Sequence, residues 1–190
     1  IFSLYKQHKY LKKIEIKPNL KCDYVFFALH FQPERSTLPE GDIFNNQLLA
    51  IKMLSKSIPS NYKIYIKEHP RQLDYYPQLS KIHFRSKDFY KELNNLPNVF
   101  FLPTFININK VIINAKYVST ITGSVGIYAI KKNIPTIIFS NTWYSKHKLA
   151  FVCTNKEEII DVFNKSNFVD NKKNNLEFIN EISKFLFLSS

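Results

Sequence analysis

Glycine is scarce in this chain: three residues in 190, where about a dozen would be ordinary. Cysteine is scarcer still. Cys22 and Cys153 stand far apart without metal-ligand spacing, which excludes a disulfide scaffold and leaves the expectation of free thiols in a reducing compartment, the cytoplasm. Cys153 closes the apolar run "LAFVC" and reads as a core residue. No stretch approaches the roughly 20 apolar residues of a membrane helix; the densest runs, "YVFFAL" and "VFFLPTFI", are strand-sized. No H-E-x-x-H, paired cysteine or Asp-x-Asp pattern is present, so no metal constellation is visible. There is no repeat and no low-complexity segment. Finally, no acidic residue occurs between Glu92 and Glu157, although seven lysines do.

What is present defines a globular chain. Hydrophobic residues make up 45 % and charged residues 22 %, enough to bury a real core. The formal net charge of +12 points to an anionic partner: a phosphorylated ligand, an acidic membrane surface or nucleic acid. A solubilising lysine surface explains it equally well. Nucleic acid fits least, because no helix concentrates the basic residues and no aromatic–basic platform is visible. The chain opens at Ile1 on a basic stretch, "YKQHKYLKK", that reads as the middle of a longer protein. The expected organisation is therefore a trailing helix and linker of a missing N-terminal domain over 1–20, then one domain over 21–190.

Elements alternate along the chain. Residues 1–14 read as a helix end. Buried strands are predicted at 23–30, 62–69, 98–102, 117–122, 135–140 and 148–153. Helices are predicted at 43–57 (capped by Asp42), 86–96 (capped by Ser86), 107–115, 124–133, 155–166 and 173–187. Strands that are apolar throughout, each followed by a helix, mean a parallel sheet covered on both faces: a doubly wound, Rossmann-like α/β domain. Such sheets bind ligands at the carboxyl ends of their strands, and three polar clusters fall there.

The first is "TITGSVGIYAI" (120–130), which holds two of the three glycines. A glycine after a buried strand permits a tight turn and a close approach, and the helix behind it offers N–H groups to an anion. Thr122, Gly123 and Ser124 are candidate phosphate ligands; Gly126 lets the helix pack closely or a ligand sit on it. A tight turn with no ligand is the plainer alternative. The second is "IKEHPR" (66–71). Pro70 holds His69 extended, so that its imidazole can donate to a phosphate or shuttle a proton, with Lys67, Glu68 and Arg71 beside it. The third is the loop after the first strand, with His30, Gln32, Glu34, Arg35, Ser36 and Thr37. Glu34 is a candidate base there, or orients His69 or a hydroxyl. Arg85 either reaches a phosphate or lies at the surface. His8, His83 and His147 read as surface, and Trp143 either stacks on a base or sugar or, the plainer reading, packs half-buried.

Taken together, "YVFFALHFQPERST", "IYIKEHPR", "FYKELNNLPNVFFL" and "VSTITGSVGIYAIKKNIPTIIFSNTWY" resemble the C-terminal half of bacterial capsule polysaccharide biosynthesis proteins. This is a group of GT-B glycosyltransferases that includes capsule Kdo transferases. The resemblance covers roughly residues 20 to 145. It implies two Rossmann-like domains with the active site between them, and a C-terminal domain that holds the nucleotide of a CMP- or UDP-linked sugar donor. His69 and Pro70 then match a pair that contacts the nucleotide phosphate, Thr122–Ser124 the other side of that clamp, and no metal or further cofactor is needed. Where the family typically carries a glutamate that holds the ribose, this chain has Tyr128.

The sequence thus leads to a nucleotide-sugar-dependent glycosyltransferase domain for surface polysaccharide. The catalytic candidates are His30, Glu34 and His69. The candidate donor ligands are Lys67, His69, Pro70, Arg85, Thr122, Gly123, Ser124, Gly126 and Tyr128. Expected partners are the sugar donor, a glycan or glycolipid acceptor, the missing domain and the inner face of the cytoplasmic membrane. A nucleotide-sugar 2-epimerase is the second enzymatic reading. An inactive binding or assembly module on an anionic membrane is the third.

Overall fold

Each predicted strand forms, trimmed at its ends. In the computed structural model, which describes residues 2–31, 44, 46–73 and 85–165, β1 is Tyr24–Ala28, β2 Lys63–Lys67, β3 Val99–Leu102, β4 Tyr117–Thr120, β5 Thr136–Ile138 and β6 Ala150–Val152. All five pairings are parallel, in the order β3-β2-β1-β4-β5-β6. Central strands of such a sheet carry helices on both faces and cannot alternate apolar with polar residues. That is why "YVFF" is wholly buried, while β6, at the edge, is only half-buried.

The helices are α1 Phe2–Ile14, α2 Gln47–Ser57, α3 Lys87–Asn94, α4 Ile108–Ile113, α5 Ser124–Lys131 and α6 Lys156–Asn164. Residues from α1, α2, α3 and α6 bury one face, around Val25, Phe27, Ile64 and Ile66. Residues from α4 and α5 bury the other, around Tyr24, Phe26, Tyr65 and Val118. The stretch expected as a trailing helix seats Leu11 in the first of these cores, and the N–H of Ile16 donates to Phe101 O at 2.8 Å, along the β3 edge.

Polar caps set the helix starts. Ser86 accepts from the N–H of Phe89, as expected, and Asn107 and Asn155 cap α4 and α6. One start departs from expectation: α2 begins at Gln47 behind an Asn46 cap, not at Ile43. Asp42 and Ile43 lie outside the described residues, as do Gln32, Glu34, Arg35, Ser36, Thr37, His83 and the predicted helix at 173–187. Glycine scarcity shows after α5, where Asn133 takes the left-handed conformation (φ 62°) that glycine usually supplies.

The strand order reverses between β1 and β4, which pair directly. The carboxyl ends of strands at such a reversal are where doubly wound sheets take ligands.

Candidate functional site

His30 lies two residues beyond β1 and is buried at the reversal. Its backbone N–H donates to Gln47 Oε1 at 2.9 Å, and its carbonyl accepts from Gln47 Nε2 at 3.3 Å. A residue in the first turn of α2 thus fixes the loop. The imidazole Nε2 meets Thr120 Oγ1 at 2.8 Å. The same oxygen accepts from the N–H of Gly123 at 3.2 Å, so one hydroxyl ties β1 to the turn that opens α5. Burial, the Arg85 guanidinium and His69 together hold the His30 pKa down at about 4, from an ordinary 6.5.

The two glycines of the turn serve two neighbours. A Cβ on Gly123 would lie 2.7 Å from Thr120 Oγ1 and 2.9 Å from His30 Cε1, so only glycine lets the imidazole in. A Cβ on Gly126 would lie 2.9 Å from Tyr144 Cζ and 3.0 Å from Cε2, and closer still to the hydroxyl. That hydroxyl donates to Gly123 O at 2.7 Å. Gly126 is thus held to glycine by the Tyr144 ring packed against it. Gly123 caps α5 with no side-chain bond. The N–H groups of Ser124 and Val125 head the helix, where the positive end of the dipole favours an anion. Ser124 is exposed there, and Thr122 is half-buried.

On the other side of β1, β2 ends at Lys67, and Glu68 and His69 follow it. Lys67 is buried, its Nζ donates to Glu68 O at 3.3 Å, and burial lowers its pKa. Glu68 is 1 % exposed. It accepts from the N–H of His69 at 2.7 Å, from Arg85 Nε at 2.8 Å and from the Tyr90 hydroxyl at 2.8 Å. Arg85 Nη2 donates to His30 O. His69 is half-buried, its ring centroid 5.8 Å from that of Phe31, and its Nδ1 accepts from the N–H of Arg71 at 3.3 Å. That bond places the proton of the neutral ring on Nε2, leaving it a donor. Pro70 opens a short 3-10 turn, Pro70–Leu73, and is exposed.

The structure therefore gathers His30, Gly123 and the head of α5 at one point, with His69, Pro70 and Lys67 on the adjoining strand end. Arg85 is not a surface residue but is 6 % exposed within an ion pair. Tyr128 lies a turn further along α5, half-buried, with its hydroxyl donating to Asn109 Oδ1 at 3.1 Å. Two expectations fail. His147 is buried, its Nδ1 accepting from the N–H of Leu149, because the 142–149 turn folds back under α5. Trp143 is 65 % exposed rather than half-buried, while the adjacent Tyr144 takes the core position. Thr120, Gln47, Glu68 and Tyr144 were not among the expected site residues. Only their partners distant in sequence mark them.

A family model described as "Capsule polysaccharide biosynthesis protein" matches residues 24–158, well over half of the chain. No curated protein matches. Among solved structures, a UDP-GlcNAc 2-epimerase from Methanocaldococcus jannaschii superposes with a TM-score of 0.55 at 15 % identity, over 94 % of this chain and 49 % of that one. The β-Kdo 2,7 transferase of KpsC from Thermosulfurimonas dismutans gives 0.53 at 15 % identity, over 84 % and 51 %. The S. aureus MnaA–UDP structure gives 0.50 at 12 % identity, over 83 % and 41 %. At these identities the likeness is one of fold. The chain spans about half the length, or less, of these structures.

Proposed function

Because this chain belongs to the capsule polysaccharide biosynthesis protein family, we propose that it is the donor-binding, C-terminal domain of a GT-B glycosyltransferase acting on a nucleotide sugar. The observation that carries this reading is the convergence at the β1/β4 reversal. There, the side-chain-free head of α5 and the Nε2–H of His69 stand at the ends of the two strands that flank β1. Both are donors suited to phosphate oxygens. One neighbour of the same fold is a complex with UDP.

In this proposal the donor phosphate lies between Ser124–Val125 and His69. The bond from the anomeric carbon to phosphate oxygen breaks, and its electron pair leaves with the nucleotide. The acceptor oxygen bonds to that carbon and gives up its proton to a base. Charge growing on the leaving phosphate meets the α5 head and His69, with no metal required. His30, buried and bonded to Thr120 with its pKa held low, is assigned to shaping the turn rather than to taking the proton. Glu34 remains the candidate base. The acceptor is a glycan or glycolipid. The seven lysines of the acid-free stretch, all exposed, would favour an anionic membrane face. A 2-epimerase uses the same scaffold; a glycosylated acceptor, against a free epimerised sugar, separates the two activities.

The test is thermal denaturation with UDP and with CMP. At a hundred times Kd a ligand adds about 2.7 kcal/mol, or roughly 5–10 °C for a chain of this size. A shift with either nucleotide, reduced in His69→Ala, is expected. No shift with either, or a shift of unchanged size in His69→Ala, overturns the clamp.

A further inference from the structure

Behind the rim lies a buried ion pair that the phosphate clamp does not use. Burying two charges usually costs as much as their attraction returns, and apolar residues of similar volume pack as well. The Glu68–Arg85 pair at 2.8 Å, in a setting this dry, therefore asks for another reason. Its remaining bonds supply one. Glu68 Oε1 takes the backbone N–H of His69 and Arg85 Nη2 holds the backbone carbonyl of His30. The Tyr90 hydroxyl, from the buried side of α3, binds Glu68 Oε2. One carboxylate and one guanidinium thus join the chain just past β1 to the chain just past β2, and anchor both to α3. The contacts to His69 N–H and His30 O are to main chain, so they set where each loop leaves the sheet.

We propose that Glu68 and Arg85 are positioning residues: a brace that fixes the His69 loop against the His30 loop, and so sets the width of the crevice in which the phosphate is held. The role in ligand binding rests on the nucleotide reading above; the brace itself does not. Tyr90 supports it by holding the carboxylate from behind.

UDP is titrated calorimetrically into the wild-type chain, Glu68→Gln, His69→Ala and the double variant. In parallel, the imidazole resonances of the ligand-free proteins are recorded by NMR. Glu68→Gln should weaken UDP roughly tenfold or more, the scale of one charge-assisted hydrogen bond, and should add nothing further once His69 is alanine. It should also move the ring resonances of His30 and His69 while leaving those of His8 and His147 in place. Equal weakening in both backgrounds, or unmoved His30 and His69 rings, overturns the brace. If the rings move but UDP fails to bind the wild type, the nucleotide reading fails and the brace stands. Should Glu68→Gln not fold, Tyr90→Phe, which removes one hydrogen bond and little volume, is read the same way with a smaller effect; unmoved rings there count against the brace.

Discussion

Replacing Gly126 by alanine tests how the α5 turn is packed, because the expected sign depends on Tyr144. In the wild type the new Cβ would sit 2.9 and 3.0 Å from ring carbons of Tyr144 and closer to its hydroxyl, well inside ordinary contact. Tyr144 is fully buried and its hydroxyl holds Gly123 O, so it cannot move aside without losing that bond. Overpacking costs about 1–3 kcal/mol and the lost hydrogen bond about 1. The helical gain of alanine over glycine returns about 1. The net is a destabilisation of about 1–3 kcal/mol, several degrees of Tm for a chain of this length. In a Tyr144→Ala background the obstacle is gone and only the helical gain remains. Gly126→Ala should then raise stability by up to about 1 kcal/mol. Urea denaturation of the four proteins measures the cycle. If Gly126→Ala costs the same with and without Tyr144, or stabilises the wild type, the packing account is wrong.

Acid should expose His30. Its folded pKa is about 4, below the ordinary 6.5, so protons favour the unfolded chain. The associated stability is whole above about pH 6.5, falls as pH drops and is gone by about pH 4. The difference in unfolding free energy between pH 7 and pH 4 should shrink by about 3 kcal/mol in His30→Gln; an unchanged difference would refute this. Ser119, whose buried hydroxyl alone among the described side-chain groups finds no partner, should be replaceable by alanine with no loss, or a gain of up to about 1 kcal/mol, in urea titration. A loss above that would show an unseen partner. Cys153, buried and with its thiol pushed up to about 12, should resist a disulfide reagent until the chain unfolds, while the half-buried Cys22 reacts in the native state. Two equally fast thiols would contradict the burial.

The sheet was legible in the sequence because its strands are continuous apolar runs, a pattern that only two-sided burial produces. "YVFFA" and "KIYIK" needed no further context. The start of α2 was not, because Asp42 and Asn46 are both good caps and the spacing of Phe44, Leu48 and Ile51 fits either. The bonds from Gln47 to His30 tie down the observed start. That the polar clusters lie at carboxyl ends of strands was legible, because the strand positions follow from the apolar runs. The contacts behind them were not. Thr120 sits inside "YVST" and looks like strand, and Glu68 is legible only as one of the ionic groups beside His69. Tyr144 carries no local mark of its role. In each case a partner distant in sequence, His30, Arg85 or Gly123, decides the role, and no local pattern encodes that pairing.

In the proposed complex a nucleotide phosphate lies between the head of α5 and His69. Amide chemical shifts recorded as UDP is added test that placement. The largest changes should fall on Gly123, Ser124 and Val125, with the His69 ring moving at the same UDP concentrations. Changes centred elsewhere in the chain, or none at millimolar UDP, would contradict it.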